Sequence, residues 1–460
     1  MGRQLFGIVL SLIGMLVTTR LLGPHKYGQV VIVAGLAGYA INIGKLGLDV
    51  YLIRFQGDLD QRQVGVTQGL YLVTGFLFAA AMVTLGPVVS WWYSDPLLCD
   101  LFRAYAIITP LTLMGSIPVA LLDRQLSYKQ AAMTELWGQL LSVAFSVAIV
   151  WTTRSLWGVV IGTLAQALTT LVLGTCWSKM PFRPRWNALE AKAQLRYGFG
   201  YCASMWIWQA RDLVNPLLVG KLLGPEAAAF IAMAVRLAGL VGFAKTAVWR
   251  VYMSYLARLA DDRDKMMAAM ESGLSHQVLV TGVSFVAFLA ISPDLIQGVL
   301  GQRWMPVLQV FPFIAAGVIA NSGFSLYSSA LYIDGKNHDV SLFHIAHIVL
   351  FASSVWFFTN QVGSIAAYGF GEVAALASYL VIRQVFRKRF FPVREGVMLA
   401  NLAFFFTALV LVMQFLSEPL WLRLAISALL MLVILCAVPR NRSNCLMVVN
   451  LARQRFAGNL

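Results

Sequence analysis

Charge is scarce in this sequence. Of 460 residues, 12% are charged and 59% are hydrophobic, with a mean hydropathy of +0.74. Soluble domains carry about 25% charged residues, so the composition excludes an aqueous globular domain and predicts an integral membrane protein. Cysteine is scarce too: Cys99, Cys176, Cys202, Cys436 and Cys445 form no CxxC pair, and each reads as an isolated small apolar side chain. Long polar stretches are missing. The longest interruption of the apolar portion, residues 179–196, is too short for a soluble catalytic domain. An A-x-A cleavage site is also missing, and the first apolar run passes straight into Arg20, which predicts a signal-anchor helix. The short alternating segments of a membrane β-barrel do not occur.

What is present is a series of apolar runs of bilayer length. Fourteen spans are predicted, at 4–22, 28–53, 66–92, 100–121, 132–152, 155–178, 197–220, 228–256, 271–291, 305–330, 340–358, 362–383, 397–415 and 420–438. Lys and Arg number 35 against 20 acids, and their placement matters more than the excess. With a cytoplasmic N-terminus, one set of loops carries Arg54, Arg62, Arg124, Lys129, Lys179, Arg183, Arg185, Lys192, Arg196, Arg258, Arg263, Lys265, Arg387, Lys388, Arg389 and Arg394. The tail residues Arg440, Arg442, Arg453 and Arg455 fall on the same side. Opposite loops hold only scattered cations such as Lys26, Arg154, Lys221 and Arg303. This positive-inside pattern predicts cytoplasmic termini and contact with anionic lipid, not with nucleic acid.

A short repeat organises the chain. Leu21-Leu22-Gly23-Pro24 is followed by Leu36-Ala37-Gly38, and Leu222-Leu223-Gly224-Pro225 by Leu237-Ala238-Gly239, at the same offset. Gly after one helix and Pro in the first turn of the next suit a tight corner on the outer face. The repeat predicts an all-α polytopic protein of two parallel six-helix halves, an N-lobe (1–196) and a C-lobe (197–396), around a central cleft. An appended helix pair (397–438) and a basic cytoplasmic tail (439–460) would follow.

The run Arg20-Leu21-Leu22-Gly23-Pro24-His25-Lys26-Tyr27-Gly28 resembles the R-L-L-G-P-x-x-Y-G opening of the polysaccharide-exporter branch of the MOP superfamily, the Wzx-type flippases. Gly47-Leu48 and Ile53-Arg54 match the continuation of that opening. Asn215 to Gly224 is similar to the D-x-x-x-[IV]-G-x-x-L-G of the family's seventh helix, with Asn in place of the acid. The resemblance implies a non-enzymatic secondary transporter of the bacterial inner membrane, without a cofactor. Its cargo would be undecaprenyl-pyrophosphate-linked oligosaccharide, destined for lipopolysaccharide or exopolysaccharide, with the polymerase and export machinery as further partners. A MATE-like cation antiporter of the same fold is the alternative. A membrane-embedded polymerase or glycosyltransferase is a poorer match, because the long catalytic outer loop it needs is missing.

Charges inside apolar spans cost a few kcal/mol and mark candidate function. The basic ones are Lys45, Arg211, Arg236 and Lys245, expected to line the cleft and to hold an anionic headgroup. Asp49, Asp212, Glu372 and His344 are the candidates for ion coupling or charge pairing. Lys45 and Asp49, four apart, are expected to pair on one helix face. Arg236 and Lys245 lie on opposite faces of a straight helix, so both reach one cleft only if the helix bends at Gly239 or Gly242.

Other motifs are weaker. Residues 239–246 nearly match a phosphate-binding loop, but Ala244 replaces a Gly and no strand precedes the stretch. Asp58-Leu59-Asp60 and Asp261-Asp262-Arg263-Asp264 read as solvated loops. His344 and His347, three apart, are expected near the interface, and the small-residue stripe Asn321 to Ser329 predicts tight helix packing.

Overall fold

The LLGP motif acts as a hinge of one residue. In the computed structural model Gly23 has φ 75° and ψ 170°, while Pro24 opens the next helical turn within α1 (Gly2–Gly44). Gly224 repeats this with φ 87°, and Pro225 follows in the first turn of α9 (Gly224–Val241). An L side chain is strained at such angles, and Pro supplies the φ of a first helical turn. The two corners also touch. A Cβ on Gly28 would lie 1.8 Å from the Pro225 carbonyl oxygen, so only glycine permits this approach.

The structure describes residues 2–259, 262–390, 393–438 and 441. The tail arginines Arg440, Arg442, Arg453 and Arg455, Asp261 and Cys445 lie outside them. Every regular element among the described residues is helical. The chain divides after Ala229 into two compact units.

In the first unit α1 is followed by α2 (Leu48–Arg54), α3 (Gln61–Tyr93), α4 (Pro96–Arg124), α5 (Tyr128–Thr153), α6 (Trp157–Ser178) and α7 (Ala188–Gln209). One apolar cluster, including Ile32, Val33, Leu98, Leu101 and Val150, joins α1, α4 and α5. A second, including Leu48, Leu52, Tyr71, Leu113 and Ile117, joins α2, α3 and α4. Cations on the face opposite the basic loops cap helix ends. Lys26 donates to the carbonyl of Arg154 (2.9 Å) just past α5, and Lys221 to that of Trp92 in the last turn of α3. Both complement the negative end of a helix dipole.

The remaining helices are α8 (Gly220–Leu222), at the end of the first unit, α9, and then α10 (Phe243–Arg258), α11 (Arg263–Val299), α12 (Phe311–Ile333), α13 (Asn337–Val362), α14 (Ala366–Ala375), α15 (Tyr379–Arg389), α16 (Gly396–Gln414) and α17 (Leu420–Ala437). In the second unit Gly323 of the small-residue stripe receives Val278, Met398 and Leu402, as tight packing requires. The late pair α16–α17 is anchored on α11: buried Arg423 donates to the Ala290 carbonyl (2.8 Å) and pairs with Asp294.

Eleven described helices are long and apolar enough to cross a membrane, fewer than the fourteen predicted. Three differences account for this. The first two predicted spans are two helices that meet at the non-helical Gly23 and enter this number as one run. The seventh and twelfth are built from shorter pieces. The predicted second span, 28–53, also needs correction. It breaks at residues 45–47, where Leu46 (φ 50°) and Gly47 (φ 67°) are left-handed.

Candidate functional site

That break decides the fate of Lys45 and Asp49. They sit on opposite sides of the turn, and no ion pair joins them among the described residues, so the expected pairing on one helix face is wrong. Spacing four apart brings side chains together only while the helix continues. The Asp49 N–H instead donates to the Tyr71 hydroxyl (3.2 Å), and both Lys45 and Asp49 are half-buried.

The turn is pressed against α7. The Gly47 position lies 2.7 Å from the Cys202 sulfur, measured from a Cβ built on it, and the Gly198 position 1.9 Å from the Leu46 carbonyl. Tyr39 donates to the Trp206 carbonyl (3.2 Å), and the Trp206 indole donates to the Asn42 carbonyl (3.2 Å). Late α1 and mid α7 are therefore stitched backbone to side chain over several turns.

Just beyond this seam the α7 helix loses its regularity. Ala210–Leu213 winds as a 3-10 turn and Asn215–Val219 as a π turn, before Gly220–Leu222 completes the run. Pro216 lacks an N–H for the α ladder, which accounts for the change of winding. Arg211 and Asp212 lie in the 3-10 turn, Arg211 half-buried and Asp212 exposed. The Arg211 guanidinium sits 5.9 Å from the Trp208 ring centroid, within cation–π range. Changes of winding of this kind are frequent at functional sites.

Asn215 shows why this chain departs from an acidic residue there. Its buried Nδ2 donates to the Ala228 carbonyl (3.1 Å). A carboxylate has no proton to give and would face that carbonyl with like charge.

In the second unit the helix is interrupted at Gly242, one of the two glycines that would permit a bend: α9 ends at Val241 and α10 begins at Phe243. Arg236 on α9 is exposed, and Lys245 on α10 is half-buried. Lys245 donates to Asn321 Oδ1, whose Nδ2 donates to the Tyr379 hydroxyl (2.9 Å). Tyr379 stacks on Phe324 at 5.0 Å. Next to it buried His347 bonds Ser378 (2.8 Å), while His344 is half-buried. Glu372 is 2% exposed, and its Oε2 lies 3.1 Å from where a Cβ on Gly317 would stand.

Thus Lys45, Asp49, Arg211 and Asp212 belong to the first unit, and Arg236, Lys245, His344 and Glu372 to the second. Asn321 and Tyr379 were not among the expected site residues: Asn321 was expected only to pack within the small-residue stripe, and Tyr379 carries no charge to single it out. The acidic loop motifs are helix caps. Asp60 forms a capping box with Gln63 on α3, and Asp262 accepts from the Lys265 N–H (3.1 Å) and pairs with its ammonium (2.7 Å) on α11. The 239–246 stretch lies across the α9–α10 junction, not at a strand-to-helix turn.

With the geometry in place, comparison with known proteins narrows the class. Residues 17–309 match a family model described as polysaccharide biosynthesis protein. A Klebsiella pneumoniae chain named "Uncharacterized membrane protein in cps region" is 23% identical over 82% of this chain and 79% of its own length. The Bacillus subtilis teichuronic acid biosynthesis protein TuaB is 20% identical over 70% of this chain and 66% of its own. Among solved structures, the lipid II flippase MurJ in an inward closed conformation covers 94% of this chain and 98% of its own, with TM-score 0.72 and 10% identity. An inward-facing MATE multidrug transporter of the MOP superfamily covers 82% of this chain and 94% of its own, with TM-score 0.67 and 15% identity. At those identities the likeness concerns the fold: an all-helical, multi-pass membrane architecture shared with flippases and transporters.

Proposed function

Because the chain belongs to the polysaccharide biosynthesis protein family, we propose that it flips undecaprenyl-pyrophosphate-linked oligosaccharide across the bacterial inner membrane. The observation that carries this reading is Arg211, a half-buried guanidinium held in the 3-10 turn that follows α7. Pyrophosphate and sugars cannot enter hydrocarbon unaided. A polar route lined by cations shields them while the lipid tail stays in the bilayer. Arg is suited to the task because its planar fork matches two phosphate oxygens at once.

In this reading Arg211, Arg236, Lys245 and Lys45 meet the headgroup, and two lobes related by the LLGP repeat alternate access to the two leaflets. Asn321 holds Lys245 in one orientation by accepting a hydrogen bond from its ammonium, and Tyr379 fixes Asn321 in turn. Glu372, buried in α14, is the carboxylate to which this reading gives ion or proton coupling. The MATE-like fold keeps a small-cation antiporter as the competing reading.

The test uses a host whose surface polymer depends on this gene. Arg211→Ala should leave the protein abundant in the membrane, abolish polymer, and trap lipid-linked oligosaccharide in the inner leaflet. A loss of one bidentate phosphate contact predicts a fall in flux of about tenfold or more, from the strength of charge-assisted bonds. Full polymer output from Arg211→Ala would remove the basis for the cationic route. Unchanged polymer in a complete deletion, with altered drug sensitivity, would favour the antiporter.

A further inference from the structure

In the first unit, where α3 begins and α4 and α6 end, lies a cavity of about 340 Å³ that Arg211 does not line. Its walls include Gln68, Arg124, Gln125, Lys179, Arg183 and Arg185, and no Asp or Glu lines it among the described residues. The cavity is built into the fold, not left by a loose loop. Fully buried Gln68 donates through Nε2 to the Pro181 carbonyl (2.8 Å), and its Oε1 accepts from the Arg183 N–H (2.9 Å). The Arg185 N–H donates to the Gly65 carbonyl (2.9 Å). Side chains at Gly65 or Gly69 would collide with the carbonyls of Arg183 and Arg185, at 2.7 and 2.4 Å. The strand-like segment after α6 is therefore laid directly on the first turns of α3.

The cations lining this cavity form no ion pair among the described residues. Arg124 is fixed by donating to the carbonyls of Leu52 (3.0 Å), Phe55 (2.8 Å) and Gly57, which hold it but do not neutralise it. The side chains of Lys179, Arg183 and Arg185 are exposed, with no hydrogen bond or ion pair to any described residue. Four cations thus surround one concavity whose walls are rigid. A bound anion would relieve their mutual repulsion at no cost in loop ordering.

We propose that this cavity binds a phosphate-bearing anion. The two exposed guanidiniums offer fork donors to phosphate oxygens, Lys179 a mobile point charge, and Arg124 a fixed positive floor. The volume sits at the small end of ligand sites, about 300–1,000 Å³, which suits a phosphate headgroup and excludes a long oligosaccharide. The position at the ends of membrane-spanning helices allows two sources: the headgroup of an anionic lipid, or a phosphorylated solute. The site is separate from the flipping route, so its failure leaves that reading untouched.

The experiment uses the full-length protein in phosphatidylcholine nanodiscs. One arm titrates phosphatidylglycerol and reads retained lipid by native mass spectrometry; the other titrates inorganic pyrophosphate. The double variant Arg183→Ala/Arg185→Ala is compared with Arg258→Ala/Lys388→Ala, which removes the same charge from exposed positions in the second unit. A basic residue near an anionic surface contributes about fivefold in affinity, so the first pair should lose about 25-fold and the control little. Arg183→Lys/Arg185→Lys, keeping the charge, should retain most of the affinity and guards against misfolding. Loss confined to phosphatidylglycerol identifies a lipid headgroup, and loss confined to pyrophosphate a soluble ligand. Equal loss in both double variants, or no binding of either probe, would overturn the proposal.

Discussion

Single side chains at the ends of helices bear much of the polar organisation in the second unit. Glu395, buried just before α16, accepts from the Tyr327 hydroxyl (2.7 Å) and from Arg383 Nε (2.6 Å), with Arg387 3.5 Å away. Burial alone would raise the Glu395 carboxyl. The hydrogen bonds from Arg383 and Tyr327, and the charges of Arg383 and Arg387, outweigh it and hold the carboxyl below its usual range. A carboxylate with a depressed folded pKa stabilises the fold above its ordinary titration range, about pH 4.3. That contribution disappears as pH falls through the range and down to the folded value. Glu395→Gln should therefore cost about 2 kcal/mol at pH 7, less than a fully buried pair because both arginines stay partly solvated. The gap between wild type and variant should begin to narrow as pH falls through that range and close only below the depressed folded value. Thermal unfolding in detergent across pH reads both; a gap that widens on acidification would contradict this role for Glu395.

At the scale of elements, the clearest lesson concerns breaks. The LLGP corners were legible because Gly followed by Pro announces a left-handed residue and a helix start, and both copies show it. The interruption at Gly242 was legible for a similar reason. The break at residues 45–47 was not, since Leu46 in a left-handed conformation has no local signal and arises from packing against Gly198 of α7. The 3-10 and π windings around Arg211 were equally silent. Pro216 marks a disturbance, but which carbonyls are released depends on neighbouring helices. Polar residues such as Asn321 and Tyr379 escaped because uncharged groups in apolar spans are common and only their contacts distinguish them. The corners yield a test in which one substitution type has opposite signs. Gly224→Ala forces a Cβ into φ 87° and should destabilise by about 1–2 kcal/mol. Gly239→Ala lies in regular helix with open space around it and should be neutral or stabilising by up to about 1 kcal/mol. Equal shifts in melting temperature for the two variants would show that backbone conformation at the corner is not what selects glycine.

For the whole molecule the distribution of cations is the organising fact, because it joins membrane orientation to the chemistry of the loops. Cations on the face opposite the basic loops are few, and two of them are spent on helix ends: Lys26 on the Arg154 carbonyl and Lys221 on that of Trp92. On the basic face Lys179, Arg183, Arg185, Lys192 and Arg196 crowd the segment joining α6 to α7 and the start of α7, where one cavity of about 740 Å³ is lined by Lys192 and Arg196. The asymmetry is therefore more than a count, since Lys26 and Lys221 are held by carbonyls at helix ends, whereas the side chains of Lys179, Arg183 and Arg185 are exposed to solvent and headgroups. The positive-inside rule then predicts that the basic face is the cytoplasmic one. In a cysteine-free background, a single Cys at position 186 should label with a membrane-impermeant maleimide only after the inner leaflet is opened, and one at 155 should label in intact cells. Placing four extra Lys around 154–156 should weaken or invert that pattern, because the charge difference across the first unit then shrinks. A position-186 cysteine that labels in intact cells would reverse the assigned orientation. It would also put the phosphate-binding cavity on the outer face, where the leaflet is less anionic and the same arginines would meet a different set of ligands.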